Sequence, residues 1–265
     1  MSFMRRLKRC VESIRRSNKP VNLSRLRRLT GQWRAALPRP RVLLPGCCLL
    51  CAGPSHREAL CPDCLKGLPW PGVSCPRCAL PAADDNQPCG VCLLHPPPWD
   101  TARAGLCYDF PVDTLGRQLK YNRQLAAGRG LAQAMLARMP PTMAADNARA
   151  PWIIPVPLHW RRETWRGFNQ AREIANHLGG QTGWPVRGDR LRRRRPTSAQ
   201  AGMNAAERRK NLTRAFTWNG ASLSGREIIL VDDVLTTGAT AAACCRALAG
   251  AKRIHLWVAA RTPTP

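Results

Sequence analysis

One apolar run followed by two acidic residues and a short turn constrains this chain more than any other segment. The run Ile228–Val231 contains no alternating polar residues, which is typical of a parallel strand buried on both faces. Asp232 and Asp233 follow at once, and the Thr- and Gly-containing residues 234–240 lead into the strong helix-forming run Ala241–Ala243. This order predicts an open α/β sheet, with the acidic pair at the edge where such sheets bind ligands.

The turn after the acidic pair has the composition of a phosphate-binding loop. Backbone N–H groups at the start of a helix, together with the positive end of its dipole, bind phosphate. Neighbouring carboxylates can accept hydrogen bonds from sugar hydroxyls, so the segment predicts a ribose 5-phosphate site. The alternative is an ordinary junction in which Asp233 caps the helix and the threonines fill the turn. We favour the site because an unpaired carboxylate ending a buried strand is costly.

Cysteines form four regularly spaced Cys-x-x-Cys pairs, at Cys48/Cys51, Cys61/Cys64, Cys75/Cys78 and Cys89/Cys92. Two such turns complete a tetrahedral site for one zinc ion, and the pattern therefore predicts two structural Zn²⁺ sites. We favour pairing the first turn with the second and the third with the fourth; an interleaved arrangement is the alternative, and Cys47 could replace Cys48. Disulfides and redox pairs are the rival interpretations. Zinc would supply folding energy to a segment too short for its own core.

The net charge of +26 over 265 residues is unevenly distributed. Residues 1–41 are rich in Lys and Arg, and a second basic cluster runs from Arg190 to Lys210. Such blocks attract polyanions, most often nucleic acid and next an acidic membrane surface, although a solvated tail and a basic loop are the alternative. The basic start lacks the apolar stretch of a secretory signal, and no segment approaches the roughly 20 apolar residues of a transmembrane helix. We therefore expect a cytoplasmic protein with reduced thiols.

Strands and helices alternate after residue 99, which predicts a doubly wound parallel sheet. The predicted strands are Arg103–Phe110, Trp152–Pro157, the run ending at Val231, and Ile254–Ala260. The predicted helices are Val112–Tyr121, Leu125–Met139 and Gln170–Leu178, the last ended by Gly179 and Gly180. The chain thus divides into a basic, flexible segment (1–41), a double zinc ribbon (42–99) and an α/β domain (100–265).

Two further segments are candidates for contacts with a diphosphate. Residues 158–170 are expected to form a loop at the same sheet edge, where arginines could clamp phosphates and Gly167 would permit close approach; His159 in it is expected to be structural. Residues 197–212 are polar and basic, so we expect a mobile loop that closes over a leaving diphosphate, with Arg208 and Arg209 as its catalytic candidates. The alternative for this second segment is an exposed linker followed by an ordinary charged helix.

With these motifs assembled, the chain resembles the ComF family of competence-associated phosphoribosyltransferase-like proteins over roughly residues 43–262. The matching pieces are Cys89–Cys92, Leu119–Tyr121, Pro155–Leu158, Arg166–Gln170, Glu207–Asn211 and Val231–Thr240. The resemblance implies a type I phosphoribosyltransferase-like sheet that binds phosphoribosyl pyrophosphate (PRPP) with Mg²⁺. It also implies a bacterial cytoplasmic protein that helps to take up or process single-stranded DNA during natural transformation, with DNA-uptake proteins as possible partners.

The resemblance also implies roles for individual residues. Asp232 and Asp233 would hold the ribose hydroxyls. The 5-phosphate would be held by Thr236, Thr237, Gly238, Ala239 and Thr240. The diphosphate side would be formed by Arg166, Asn169 and Gln170.

Three functions are compatible with these features. The favoured one is a phosphoribosyltransferase that displaces pyrophosphate from Mg²⁺–PRPP with a nitrogen nucleophile, although nothing identifies the acceptor. The alternative is a non-catalytic adaptor for single-stranded nucleic acid that keeps the PRPP fold for ligand binding or stability. Its stacking faces could be offered by Trp33, Trp70, Trp99, Trp152, Trp160, Trp165 and Trp184. A PRPP-switched transcription regulator ranks last, because no helix-turn-helix is recognisable.

Overall fold

The computed structural model describes residues 46–56, 58–138, 150–193 and 215–263. In chain order the elements are β1 (Gly46–Cys47), β2 (Pro54–His56), α1 (Pro62–Lys66), α2 (Gly90–Leu94), β3 (Thr101–Cys107), α3 (Val112–Asn122), α4 (Leu125–Ala137), β4 (Trp152–Pro155), α5 (Trp160–Arg166), α6 (Gln170–Thr182), β5 (Leu191–Arg193), β6 (Phe216–Trp218), β7 (Glu227–Leu235), α7 (Ala239–Ala247) and β8 (Arg253–Arg261).

The chain forms two compact units, of which one ends at Gly67 and the other begins at Leu68. The first unit carries the antiparallel pair β1–β2 and helix α1. The boundary falls between the second and third Cys-x-x-Cys turns, so the last two turns belong to the unit that holds the sheet. The predicted division at residues 41 and 99 stays a prediction.

A sheet of four parallel strands, in the order β3–β8–β7–β4, organises the second unit. The two central strands are apolar and almost continuously buried, as in Ile228–Val231 of β7 and Ile254–Ala260 of β8. Such runs occur where helices cover both faces of a parallel sheet. A separate antiparallel pair, β5–β6, lies outside this sheet.

Helices cover the two faces of the sheet in different numbers. On one face, Ile228 and Leu230 of β7 share a buried cluster with Cys244 of α7. On the other face, α4 contacts β3 and β8, and α6 contacts β4 and β7. On that second face the indole rings of Trp184 and Trp257 lie 6.0 Å apart. The doubly wound α/β arrangement predicted from the alternation of elements is therefore present.

Two details of the predicted elements are wrong. Helix α6 does not end at Gly179 but continues to Thr182 and ends at Gly183, whose φ is +75°. Gly179 serves packing instead, because a Cβ atom there would lie 2.5 Å from Cγ2 of Val186. The segment 158–170 is also not wholly a loop, since it contains the short helix α5.

Some predicted features fall outside the described residues. These are the basic segment 1–41 and the whole of the segment 197–212, including Arg208 and Arg209. None of the helices in the described ranges combines the length and the apolar character needed to cross a membrane.

Candidate functional site

The register of the sheet brings the two predicted ligand segments to one edge. Pro155, the last residue of β4, pairs with Val231 of β7, and the N–H of Val156 donates to the carbonyl of Val231 at 2.8 Å. The residues that follow β4 and the acidic pair of β7 therefore start at the same position along the strand direction. This is the carboxyl edge of a parallel sheet, where such folds bind ligands.

Asp232 and Asp233 are the last polar residues of β7, and they point to opposite faces, as successive strand residues do. Asp232 lines a cavity of about 50 Å³ with residues 236–240 and Leu256. Asp233 lies on the other face, toward α3. Each carboxylate accepts a hydrogen bond at 2.8 Å from the N–H of the residue that follows it. Both side chains remain partly exposed.

Lys120 of α3 pairs with Asp233, with Nζ 2.7 Å from Oδ2. Burial by itself would lower the pKa of Lys120, but the neighbouring carboxylate outweighs this effect and the pKa is raised. Lys120 is therefore a charged component of the site. In the sequence, Lys120 stands out only as part of a matching motif, because nothing local indicates its partner on β7.

The pKa of Asp232 is raised well above its ordinary value, first by burial and then by the charge of Asp233. Two adjacent carboxylates thus share a site in which one of them favours its neutral form. A cation or hydroxyl donors on the cavity side of Asp232 would favour its ionised form. The electrostatics suit a ligand that brings positive charge and hydroxyl groups together.

The turn after β7 is held by two side chains from elsewhere in the unit. Gly238 precedes α7 with φ +76°, in the left-handed region that favours glycine. A Cβ atom there would lie 2.8 Å from Cη2 of Trp99, so the indole packs directly on the turn. The carbonyl oxygens of Leu235 and Thr236 accept hydrogen bonds from Arg261 at 2.8 and 2.6 Å. In the sequence, Trp99 is predicted only as a stacking face of the adaptor alternative, which its 5% exposure contradicts, and Arg261 belongs to no predicted site.

The three residues predicted to contact the diphosphate, Asn169, Gln170 and Arg166, lie in different surroundings. Asn169 is buried and caps α6: its Oδ1 accepts from the N–H of Ala171 at 3.0 Å, while its Nδ2 donates to the carbonyl of Val156 at 3.0 Å. Gln170 is also buried, and within the described ranges its Nε2 has no hydrogen-bond partner. Arg166 stacks on the ring of Tyr121 at 5.6 Å. The contact of these residues with a diphosphate stays a prediction.

Aromatic and arginine side chains form a surface beside Lys120. We call Tyr121, Arg123, Trp165 and Arg166 the aromatic–arginine surface. Tyr121 is 62% exposed and Trp165 is 68% exposed. The carbonyl of Trp165 accepts a hydrogen bond from Nη2 of Arg123 at 3.4 Å, which joins α5 to the end of α3. Exposed rings beside guanidinium groups can stack on planar ligands.

The eight cysteines predicted as metal ligands form two groups, Cys48/Cys51/Cys61/Cys64 and Cys75/Cys78/Cys89/Cys92. This is the favoured pairing of the first turn with the second and the third with the fourth. Within each group the sulfur atoms lie within 4.8 Å of one another. A tetrahedral Zn²⁺ site with Zn–S bonds of about 2.3 Å requires sulfurs about 3.8 Å apart. The distances Cys51–Cys61 (3.7 Å) and Cys78–Cys89 (3.8 Å) fit this requirement, so both groups could hold zinc.

In each cysteine group, hydrogen bonds from backbone N–H groups lower the pKa of one thiol. Burial by itself would raise the pKa of Cys75, but N–H groups donated to its sulfur outweigh burial and lower the pKa to about 7. Two of these donors are the N–H groups of Arg77 (3.4 Å) and Cys89 (3.2 Å). The pKa of Cys48 is lowered to about 7 by the same balance of effects. Because the thiolate is the metal ligand, these bonds favour metal binding near neutral pH.

Comparison with known proteins identifies close relatives along almost their whole length. DNA utilization protein YhgH of Salmonella typhimurium is 34% identical over 228 residues, which cover 83% of this chain and 99% of the relative. The protein of the same name from Escherichia coli K12 is 32% identical, with the same shares covered. Competence protein F of Haemophilus influenzae is 31% identical over 224 residues, covering 81% of this chain and 96% of the relative. The chain belongs to the ComF family.

The predicted family and α/β fold class of this ComF protein are thus confirmed: a four-stranded parallel sheet with helices on both faces is accompanied by two zinc-ribbon-like Cys₄ groups. No protein-family model matches the chain. Among solved structures, glutamine PRPP amidotransferase from B. subtilis is 16% identical with a TM-score of 0.34, covering 60% of this chain and 32% of that one.

Proposed function

We propose that this ComF protein binds PRPP with Mg²⁺ at the carboxyl edge of the sheet and acts in DNA utilization during natural transformation. The observation that carries the proposal is the shared cavity of Asp232 and residues 236–240. It combines a carboxylate acceptor with a turn at the start of a helix, which are the two groups needed for a sugar phosphate. The names of the relatives, DNA utilization protein and competence protein, support the biological role.

Each part of PRPP has a chemically suitable partner at this edge. The 5-phosphate would bind the N–H groups of residues 236–240, and Asp232 would accept the ribose hydroxyls from the cavity side. Mg²⁺ would be held by ligand oxygens and water, with Asp232 and Asp233 nearby to balance its charge. Lys120 would hold Asp233 in place through their ion pair.

For catalysis, this chain would supply position and charge rather than a covalent intermediate. Displacement of pyrophosphate by a nitrogen nucleophile needs the sugar held still and the leaving diphosphate neutralised. Arg166 lies within the predicted diphosphate segment 158–170, and we retain Arg208 and Arg209 as the candidates for loop closure. We also propose that the protein acts in the bacterial cytoplasm, where its thiols stay reduced and can bind zinc.

A calorimetric titration with PRPP and Mg²⁺ tests the proposal. Wild-type protein should bind, and Asp232→Asn should weaken binding at least tenfold, because the amide loses the charge and one hydroxyl acceptor. Asp189→Asn is the matched control, since Asp189 is exposed and paired only with its neighbour Arg190 among the described groups. Wild-type protein that gives no heat would refute PRPP binding.

The aromatic–arginine surface favours a second candidate function, the binding of single-stranded nucleic acid. Bases could stack on Tyr121 and Trp165 while Arg123 and Arg166 attract the backbone, and the overall charge of +26 favours a polyanion. Trp165→Ala should weaken binding of a single-stranded oligonucleotide by about 1–3 kcal/mol, measured by fluorescence anisotropy. Leu94→Ala, which removes an exposed apolar side chain that has no aromatic ring, is the control. Oligonucleotide affinity that is equal in Trp165→Ala and wild type would exclude this surface.

The two functions can be separated in one protein. Oligonucleotide binding that survives Asp232→Asn together with Asp233→Asn would support an adaptor that does not need its PRPP site. Loss of both ligands in that variant would link nucleic-acid binding to PRPP.

A further inference from the structure

Two side chains connect the second cysteine group to the turn that would hold the 5-phosphate. We propose that Arg261 and Trp99 are positioning residues through which metal binding at Cys75/Cys78/Cys89/Cys92 sets the conformation of residues 235–240. The inference rests on the proposed PRPP site and adds to it a structural control. All of the residues involved belong to the unit that begins at Leu68.

Arg261 makes the first connection. It is the last residue of β8 and pairs in register with Leu235 at the end of β7. Its Nε donates to the carbonyl of Cys78 at 3.0 Å, while its Nη1 donates to the carbonyls of Leu235 and Thr236 at 2.8 and 2.6 Å. One rigid, planar guanidinium thus joins Cys78, a predicted metal ligand, to the turn at residues 235–240.

This connection determines which way the turn presents its N–H groups. In a trans peptide the C=O and N–H point in opposite directions. The carbonyls of Leu235 and Thr236 face Arg261, so the N–H groups of Thr236 and Thr237 are directed away from it. This orientation of the two peptides suits an anion, because Arg261 would hold their carbonyl oxygens away from the phosphate and leave their N–H groups free to donate to it.

Trp99 makes the second connection. Its Nε1 donates to the carbonyl of Arg77 at 2.6 Å, and its ring packs on Gly238, where an added Cβ atom would lie 2.8 Å from Cη2. Trp99 is only 5% exposed, so the ring has little freedom to move independently. The guanidinium of Arg77 donates to the carbonyls of Pro97 (2.9 Å) and Asp100 (3.1 Å), which ties the cysteine turn to both sides of Trp99.

Both connections begin at the turn Cys75–Cys78. The carbonyls that accept from Trp99 and Arg261 belong to Arg77 and Cys78, so their positions depend on how this turn is closed. Ligation of Cys75 and Cys78 by one metal ion would hold the turn, and metal binding commonly supplies the folding energy of such segments. Four thiolates around one Zn²⁺ also carry net negative charge, which complements the guanidinium of Arg261.

The test compares metal loss at the two cysteine groups. Cys89→Ser/Cys92→Ser should remove one zinc per chain, weaken PRPP binding at least fivefold, and speed amide hydrogen exchange in residues 235–240. The matched variant Cys61→Ser/Cys64→Ser should also remove one zinc but leave PRPP affinity and exchange in 235–240 unchanged. Equal effects of the two variants, or wild-type affinity and exchange in Cys89→Ser/Cys92→Ser, would overturn the proposal.

Arg261→Met tests the connection without touching a cysteine, and it remains informative if the serine variants do not fold. The variant should keep both zinc ions yet bind PRPP at least fivefold more weakly, with faster exchange in 235–240. Arg253→Met, at the opposite end of β8, is the control and should match wild type. Wild-type affinity and exchange in Arg261→Met would overturn the proposal.

A double-mutant cycle separates a transmitted effect from two independent ones. If Arg261 transmits the state of the metal group, Cys89→Ser/Cys92→Ser should weaken PRPP binding much less in the Arg261→Met background than in wild type. Full additivity would overturn transmission through Arg261. If wild-type protein binds no PRPP, the proposed function fails, and hydrogen exchange in 235–240 across the same variants still decides the connection.

Discussion

At the scale of single residues, the acidic pair is asymmetric. Asp232 faces the cavity lined by residues 236–240, whereas Asp233 faces α3 and pairs with Lys120. Adjacent residues in a strand point to opposite faces, so the two carboxylates have different neighbours in this sheet. The raised pKa of Asp232 makes it the residue whose protonation would affect ligand binding.

This asymmetry predicts a pH dependence of PRPP binding. The form that accepts hydroxyls and balances Mg²⁺ is the carboxylate, so binding should release a proton and strengthen as pH rises through the raised pKa of Asp232. Asp233→Asn removes the neighbouring charge that helps to raise this pKa, and the midpoint should then move to lower pH. Calorimetry from about pH 4 to pH 8 measures the shift.

The phosphates of PRPP can also contribute to the pH dependence of binding. Asp232→Asn is the control for this effect, because its pH dependence should come from the ligand's phosphates alone. The same pH profile in wild type and in Asp232→Asn would show that this carboxyl does not control binding.

At the scale of elements, the start of α7 combines an unusual backbone conformation with a tight contact. Gly238 and Gly183 have nearly equal φ angles, +76° and +75°, but only the former has a side chain close to its missing Cβ. The two glycines therefore separate the cost of backbone conformation from the cost of displacing Trp99.

Gly183→Ala should destabilise the protein by about 1 kcal/mol, the ordinary cost of placing a Cβ in the left-handed region. Gly238→Ala should cost about 1–3 kcal/mol more, because the added methyl group overlaps the indole of Trp99. Urea unfolding measures both changes, and calorimetry should show weaker PRPP binding only for Gly238→Ala. Equal destabilisation by the two substitutions would contradict the packing of Trp99 on this turn.

At the scale of the whole molecule, the chain contains two groups of four cysteines and a sheet that has its own extensive core. Each group has sulfur separations that suit a tetrahedral zinc ion, and each contains one thiol whose pKa is lowered to about 7. Thiolates bind metal in competition with protons, so zinc affinity should fall as the pH decreases.

Metal analysis of purified protein should therefore find two zinc ions per chain. Acidification with a chelator should release both ions and lower the thermal stability, because ligation contributes to folding. Fewer than one zinc ion per chain in protein purified without chelator would contradict the assignment.

Local patterns in the sequence determined the main elements and the kind of chemistry. The unbroken apolar run 228–231 was sufficient to predict a strand covered on both faces, and the regular Cys-x-x-Cys spacing was sufficient to predict two Cys₄ groups. Such signals are readable because periodicity, turn composition and ligand spacing act between residues that are close in the chain.

Only the tertiary structure decided which residues complete the site and how they face. Lys120 forms an ion pair with Asp233, Arg261 donates hydrogen bonds to the carbonyls of Cys78 and Thr236, and Gly179 packs closely against Val186. These contacts form only when separate parts of the chain pack together. An isolated Lys, Arg or Gly carries no local mark of such a partner, and a glycine inside a helix resembles a helix end until its neighbours are known. The sequence determined what chemistry is available at the sheet edge, and the packing of distant elements determined how that chemistry is oriented.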